Sequence, residues 1–194
     1  MNCCPTLPTA GASAVMGAGN SAVMGAATEY LPATGRPPQD LVLLHGWGGN
    51  RELWRPLLAQ LRQWANVTLL DIPGCVPQPD AEEPSMEAVL QSILARAPQR
   101  AVYLGFSLGG QLAMELASLA PERVLAIATL CSNPRFIADE ADGWPGMSAP
   151  ELSAFRAALE ADRARTLLRF DSLQARGTLR PRQMLRTLTA FERD

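Results

Sequence analysis

Few residues in this chain have side chains whose type and spacing can do chemistry. The strongest group is Gly105-Phe106-Ser107-Leu108-Gly109, a G-x-S-x-G pattern. The β-prone run Val102-Tyr103-Leu104 precedes it, and Leu112, Leu116 and Leu119 follow at helical spacing. A serine on a tight strand-to-helix bend sits in strained backbone with its hydroxyl pushed outward, which suits a nucleophile. The bend tolerates almost no side chain two positions either side, a demand Gly105 and Gly109 meet, and Gly110 lets the helix approach the sheet. The helix N-terminus beneath Ser107 favours developing negative charge.

Attack by a serine on an acyl carbon builds an oxyanion, which needs two pre-aimed donors. One is the N–H after the nucleophile, here Leu108. His45-Gly46-Trp47-Gly48-Gly49, which follows an apolar run, offers the second through the N–H of Trp47, with glycines on both sides to permit unusual backbone. The Trp47 ring would also wall the pocket. His45 is the only histidine in the chain. Its place on this loop, on the wrong side of the bend, makes it a poor general base for Ser107.

The elements that must position these residues are legible as hydrophobic runs. Residues 41–44, 66–70, 102–104 and 124–130 read as strands, with helices at 52–64, at 85–97 and directly after Ser107. Continuous apolar strands alternating with amphipathic helices specify a parallel sheet covered on both faces. Beyond Cys131 the pattern changes: residues 132–150 read as a loop, and the remainder as helices.

Composition bounds the rest. An apolar content of 47% and a charged content of 19% fit a soluble globular chain whose 194 residues suffice for one real core. All 17 basic residues are arginine. Residues 161–194 hold eight of them against four acids, a local charge of +4; residues 1–160 hold nine against fifteen, −6, and the two give the net −2. The C-terminal part is therefore a basic patch on an acidic body. Four cysteines at 3, 4, 75 and 131 have neither metal-ligand nor disulfide spacing and fit free thiols in a reducing cytoplasm. Residues 1–39 contain the repeat Ser13-Ala14-Val15-Met16-Gly17-Ala18 and Ser21-Ala22-Val23-Met24-Gly25-Ala26. They lack the charged start of a secretory signal, are too weakly apolar to span a bilayer, and read as a low-complexity, disordered extension. The expected organisation is that extension, a core over 40–132, and a loop with a helical lid over 133–194.

Taken together, L-V-L-L-H-G-W-G-G-N, D-I-P-G, Y-L-G-F-S-L-G-G, P-E-R-V and S-N-P-R-F…W-P-G resemble the pimeloyl-acyl-carrier-protein methyl ester esterases, α/β-hydrolases of biotin synthesis. The resemblance runs from Leu41 to about Arg186. It implies an α/β-hydrolase fold with a helical lid, Ser107 as nucleophile, and Trp47 and Leu108 at the acyl and oxyanion site. The family's lid segment R-F-L-x-L-Q contacts the acyl chain; here it reads R-F-D-S-L-Q, so Phe170, Leu173 and Gln174 carry over, while Asp171 and Ser172 are more polar than the pattern. The family's lid arginines, which face an acidic carrier protein, match Arg165, Arg169, Arg182 and Arg186; each pair is spaced four apart, on one helical face. No metal or organic cofactor is implied, and neither nucleic acid nor membrane.

Two features depart from the family. The loop after the second strand, Asp71-Ile72-Pro73-Gly74-Cys75-Val76-Pro77, has lost the pattern D-x-P-G-x-G-x-S. More seriously, serine hydrolases of this fold carry Ser, then an acid, then His, and no His follows Ser107. The expectation is a chain truncated at its C-terminus, lacking the last strands with the acid and His, and poorly soluble for the core and sheet edge it exposes. The function expected of the parent is a cytoplasmic serine carboxylesterase on the methyl ester of a carrier-bound pimeloyl-type chain. The alternatives are another esterase, thioesterase or lactonase of the fold, or an inactive fragment that only binds acyl chain or carrier.

Overall fold

The computed structural model describes residues 26–35, 39–75 and 84–189. The N-terminal repeat and the divergent part of the loop after Asp71 lie outside the described residues, apart from Ala26 and residues 71–75.

Among the described residues, five strands form one sheet in the order β1-β3-β2-β4-β5: β1 (Thr28–Leu31), β2 (Gln39–Leu44), β3 (Ala65–Leu70), β4 (Ala101–Phe106) and β5 (Val124–Leu130). β2 pairs in parallel with both β3 and β4, and β4 with β5, as continuous apolar strands require. The sheet is nevertheless mixed rather than all-parallel. β1 lies antiparallel on β3, with Thr28 opposite Leu70 and Leu31 opposite Val67. The expectation that ordered structure begins near Gln39 is corrected accordingly. T-E-Y-L is too short and too polar to announce a strand, and tertiary contacts hold it in place. Arg55, in the 3-10 helix Arg51–Leu57, makes a bidentate pair with Glu29 at 2.8 and 2.5 Å. The backbone N–H of Asp71 donates to the carbonyl of Ala27 at 3.0 Å.

Alternate residues of the central strands face opposite sides, and each side has its own core. Val42, Leu44, Ala101 and Tyr103 pack with Val89, Leu90, Ile93, Leu112 and Leu116 from α2 (Met86–Arg96) and α3 (Leu108–Leu119). Leu41, Leu43, Val67 and Leu69 pack with Trp54 of the 3-10 helix, flanked by Leu58 and Leu61 of the short α1 (Leu58–Leu61). The helix expected over 52–64 thus forms as a 3-10 segment followed by a single α turn, because Pro56 interrupts it. Ser85 caps α2 by accepting from the Ala88 N–H at 3.2 Å. Burying leucines such as Leu112 and Leu116 stabilises by about 1.5–3 kcal/mol each; both are at most 1% exposed.

β5 differs from its neighbours. Among the described strands it pairs only with β4, and Leu125, Ile127 and Leu130 stay 39–45% exposed despite the apolar sequence. After it come two isolated bridges, Ile137 with Met147 and Asp139 with Trp144, and then α4 (Ala149–Ala161), α5 (Arg163–Ala175) and α6 (Pro181–Thr189). Ser148 and Glu151 form a reciprocal capping box that starts α4 where the loop was expected to end.

Candidate functional site

Ser107 is the N-cap of α3 and joins it to β4 with φ 52° and ψ −116°. That is left-handed backbone for a residue with a Cβ, a conformation maintained only where its surroundings enforce it. The enforcing contacts are visible. The Ser107 N–H donates to the Leu130 carbonyl at 2.9 Å. Ser132 Oγ donates to the Ser107 carbonyl at 2.7 Å. The N–H groups of Gly110 and Gln111 close the first helical turn onto that same carbonyl at 3.0 and 3.3 Å. The Ser107 side chain makes no capping bond to its own helix.

The glycines around the bend are required by backbone rather than by flexible side chains. A Cβ on Gly105 would overlap the Gly109 carbonyl and the Gly110 nitrogen, and one on Gly109 would overlap the Leu44 carbonyl. Gly110 makes room for the Ser132 side chain. Ser132 is a contributor that sequence reasoning missed. It lies beyond β5 without a motif, and only the fold brings it to the bend.

The loop after β2 lies directly beside the bend. A Cβ on Gly46 would stand 3.3 Å from Ser107 Cβ and 2.8 Å from the Phe106 ring. Gly48 has φ +70° and carries Leu167 of α5 against it, 2.9 Å from where a Cβ would be. Leu167, 8% exposed, is another residue that motif reading did not select. Trp47 meets Phe170 edge-on at 5.1 Å between centroids and Phe155 of α4 at 5.2 Å. Trp47 and Phe170 are thus brought together, and Phe155 joins them unforeseen. A lone Phe in an Ala-rich helix carries no signal for this. Leu108 opens α3, where its N–H is among the first-turn donors that the helix leaves unpaired.

The other expected residues are distributed more loosely. Leu173 is 50% exposed. Gln174 is half-buried, and its Nε2 donates to Asp171 Oδ1 at 3.5 Å. Asp171, polar where the related pattern is apolar, is fully buried. Arg165 and Arg169 on α5 and Arg182 and Arg186 on α6 are all exposed. Arg180, Arg182 and Arg186 line an open groove of about 540 Å³ together with Pro181 and Gln183.

His45 is completely buried. Its Nδ1 lies 2.8 Å from the Gly46 carbonyl oxygen, and its Nε2 accepts from the Ile72 N–H at 2.9 Å. An imidazole that accepts at Nε2 and faces a carbonyl at Nδ1 is neutral, with its proton on Nδ1. Burial pushes its pKa below the ordinary 6.5; the Gly46 bond and the Asp71 carboxylate oppose that, and Arg96 adds to it. With both ring nitrogens occupied and no exposure, His45 is not placed to take a proton from Ser107. Among the described residues no group of His, Cys, Asp and Glu could hold a metal ion. Cys75 is buried and Cys131 is exposed.

A mixed, mostly parallel sheet with a left-handed serine at the strand-to-helix bend, a glycine-bounded loop beside it and helices folded over the top defines a class. The sequence profile described as alpha/beta hydrolase fold matches residues 41–191, and the chain belongs to that family. Within it, the chain is 41% identical over 162 residues to the pimeloyl-[acyl-carrier protein] methyl ester esterase of Pectobacterium carotovorum, covering 84% of this chain and 63% of that protein. It is 43% identical over 148 residues to the protein of the same name in Klebsiella pneumoniae, covering 76% and 57%. The chain therefore spans about three fifths of these relatives' length. Among solved structures, the enol-lactonase of Burkholderia xenovorans superposes with a TM-score of 0.66 at 19% identity, over 90% of this chain and 68% of that one, a likeness of fold alone.

Proposed function

We propose that this chain carries the nucleophile and acyl-binding part of a serine carboxylesterase that hydrolyses the methyl ester of a carrier-bound pimeloyl-type chain, a step of biotin synthesis. The observation that carries the reading is the left-handed Ser107 at the β4–α3 bend, beside the Gly46–Trp47 loop, in a chain about 40% identical to esterases of that name.

Ser107 Oγ attacks the ester carbonyl, and the N–H groups of Trp47 and Leu108 receive the oxyanion. Methanol leaves, and water then releases the free acid. Trp47 and Phe170 flank the acyl chain, with Leu173 and Gln174 further along it. Arg165, Arg169, Arg182 and Arg186 orient an acidic acyl-carrier protein, acting on encounter and register more than on raw affinity. The base that takes the Ser107 proton is not His45; in this reading it comes from the part of the fold that the longer relatives carry. The setting is the cytoplasm, and among the described residues no helix is long and apolar enough to cross a membrane.

A fluorophosphonate probe tests the reading: with imidazole added as the base, the folded chain should be labelled at Ser107, and Ser107→Ala should not. With the base supplied, pimeloyl methyl esters should be preferred over simple aryl esters. The same engagement of His45 favours a second reading, a chain that binds acyl group or carrier without turnover. Absence of adduct on folded protein with the base supplied would leave only that one.

A further inference from the structure

We infer that His45 is a positioning residue whose neutral imidazole sets the direction of the Trp47 N–H, and so the geometry of the proposed oxyanion site. The inference rests on the functional reading above for its purpose, but on hydrogen bonds alone for its geometry.

The Gly46 carbonyl and the Trp47 N–H belong to one peptide unit. In a trans unit they point in opposite directions, so fixing one aims the other; no cis peptide occurs among the described residues. Two donors fix the Gly46 oxygen: the Nδ1–H of His45 at 2.8 Å and the Gly49 N–H at 3.2 Å. The first exists only while the ring proton sits on Nδ1, and the Ile72 N–H, donating to Nε2 at 2.9 Å, imposes that tautomer.

The far end of the same loop is tied to the same place. Asp71 accepts from the Arg51 backbone N–H at 2.7 Å and from its Nη1 at 2.6 Å. Residues 46–50 are therefore held between two anchors on the adjacent Asp71 and Ile72, at the end of β3. Among the described residues, the charged groups facing the ring are Asp71, whose Oδ1 lies 3.9 Å from Nε2, and Arg96 of α2, whose Nη1 donates to the Asp71 carbonyl at 3.0 Å. Protonation at Nε2 would set two N–H groups against each other at Ile72 and release one anchor.

Because the chain holds one histidine, ¹⁵N-histidine labelling gives a single pair of ring signals. The expected spectrum shows a protonated Nδ1 and an unprotonated Nε2, unchanged from pH 7 to 5.5. An Nε2–H tautomer, or ordinary titration near 6.5, would overturn the inference. His45→Asn keeps a donor near Nδ1 but loses the Nε2 acceptor; His45→Phe loses both. A merely structural role predicts that both variants behave alike. Positioning predicts that the Trp47 amide resonance, read by ¹⁵N-tryptophan labelling, moves in His45→Phe and stays in His45→Asn. With imidazole added as the base, phosphonylation of Ser107 should fall about 10-fold or more in His45→Phe and by no more than about 3-fold in His45→Asn, as expected when one oxyanion donor is misdirected. If the native chain takes no phosphonate even with the base supplied, the esterase reading fails, while the ring and Trp47 signals still decide the positioning role.

Discussion

Burying one neutral histidine makes the stability of this chain depend on pH in a calculable way. In the unfolded chain His45 takes up a proton as pH falls through about 6.5, whereas in the fold burial holds the imidazole below that value. Below pH 6.5 the unfolded state therefore binds more protons, and acid draws the equilibrium towards it. Between about pH 7.0 and pH 5.5 the unfolded state gains RT ln[(1 + 10^1.0)/(1 + 10^−0.5)], about 1.3 kcal/mol, if the folded ring stays neutral throughout. With a urea slope of about 2 kcal/mol per molar, that lowers the midpoint by about 0.6 M. Carboxylates held below their ordinary range, such as Glu52 by its bond to Arg55, begin to contribute at lower pH. Subtracting the His45→Asn variant removes their share. Urea denaturation followed by far-ultraviolet circular dichroism at the two pH values should show the drop in the native chain and little in the variant. Equal drops in both, or none in the native chain, would refute the buried neutral imidazole.

Gly105→Ala forces a Cβ into the Gly109–Gly110 backbone, so α3 must shift off the sheet; a loss of about 1–3 kcal/mol should appear as a lowered thermal midpoint. Phe155→Ala removes one edge-on partner of Trp47, and by loosening α4 from the loop it should speed proteolysis of residues 149–189 while sparing the sheet. Ile127→Lys places a charge on the exposed face of β5; the native chain should self-associate with rising concentration in sedimentation velocity, and the variant should do so less. Replacing Arg165, Arg169, Arg182 and Arg186 together by Glu should weaken binding of an acidic acyl-carrier protein at least 10-fold at low salt, with the difference shrinking as ionic strength rises.

Much of this molecule was decided by local residue order. The bend at Ser107 was legible because a left-handed, side-chain-free turn demands Gly105 and Gly109, a requirement written into neighbouring positions. Strands β2 to β5 were legible as continuous apolar runs such as Leu41–Leu44, the pattern that a sheet buried on both faces needs. What local order did not contain was pairing over distance. β1 forms because Glu29 meets Arg55 and Ala27 meets Asp71, contacts that no four-residue window displays. Phe155 became a neighbour of Trp47, and Leu167 of Gly48, only when α4 and α5 folded back over the loop. Exposure of β5 was likewise a tertiary outcome, since Val124–Leu130 is apolar enough for an interior strand yet has a described neighbour on one side only. His45 shows the division most clearly. Its place after a strand marks it as part of the loop, but its proton is assigned by the Ile72 N–H, 27 residues along the chain. Hydrogen-bond partners follow spatial neighbours, and those exist only once the sheet has formed.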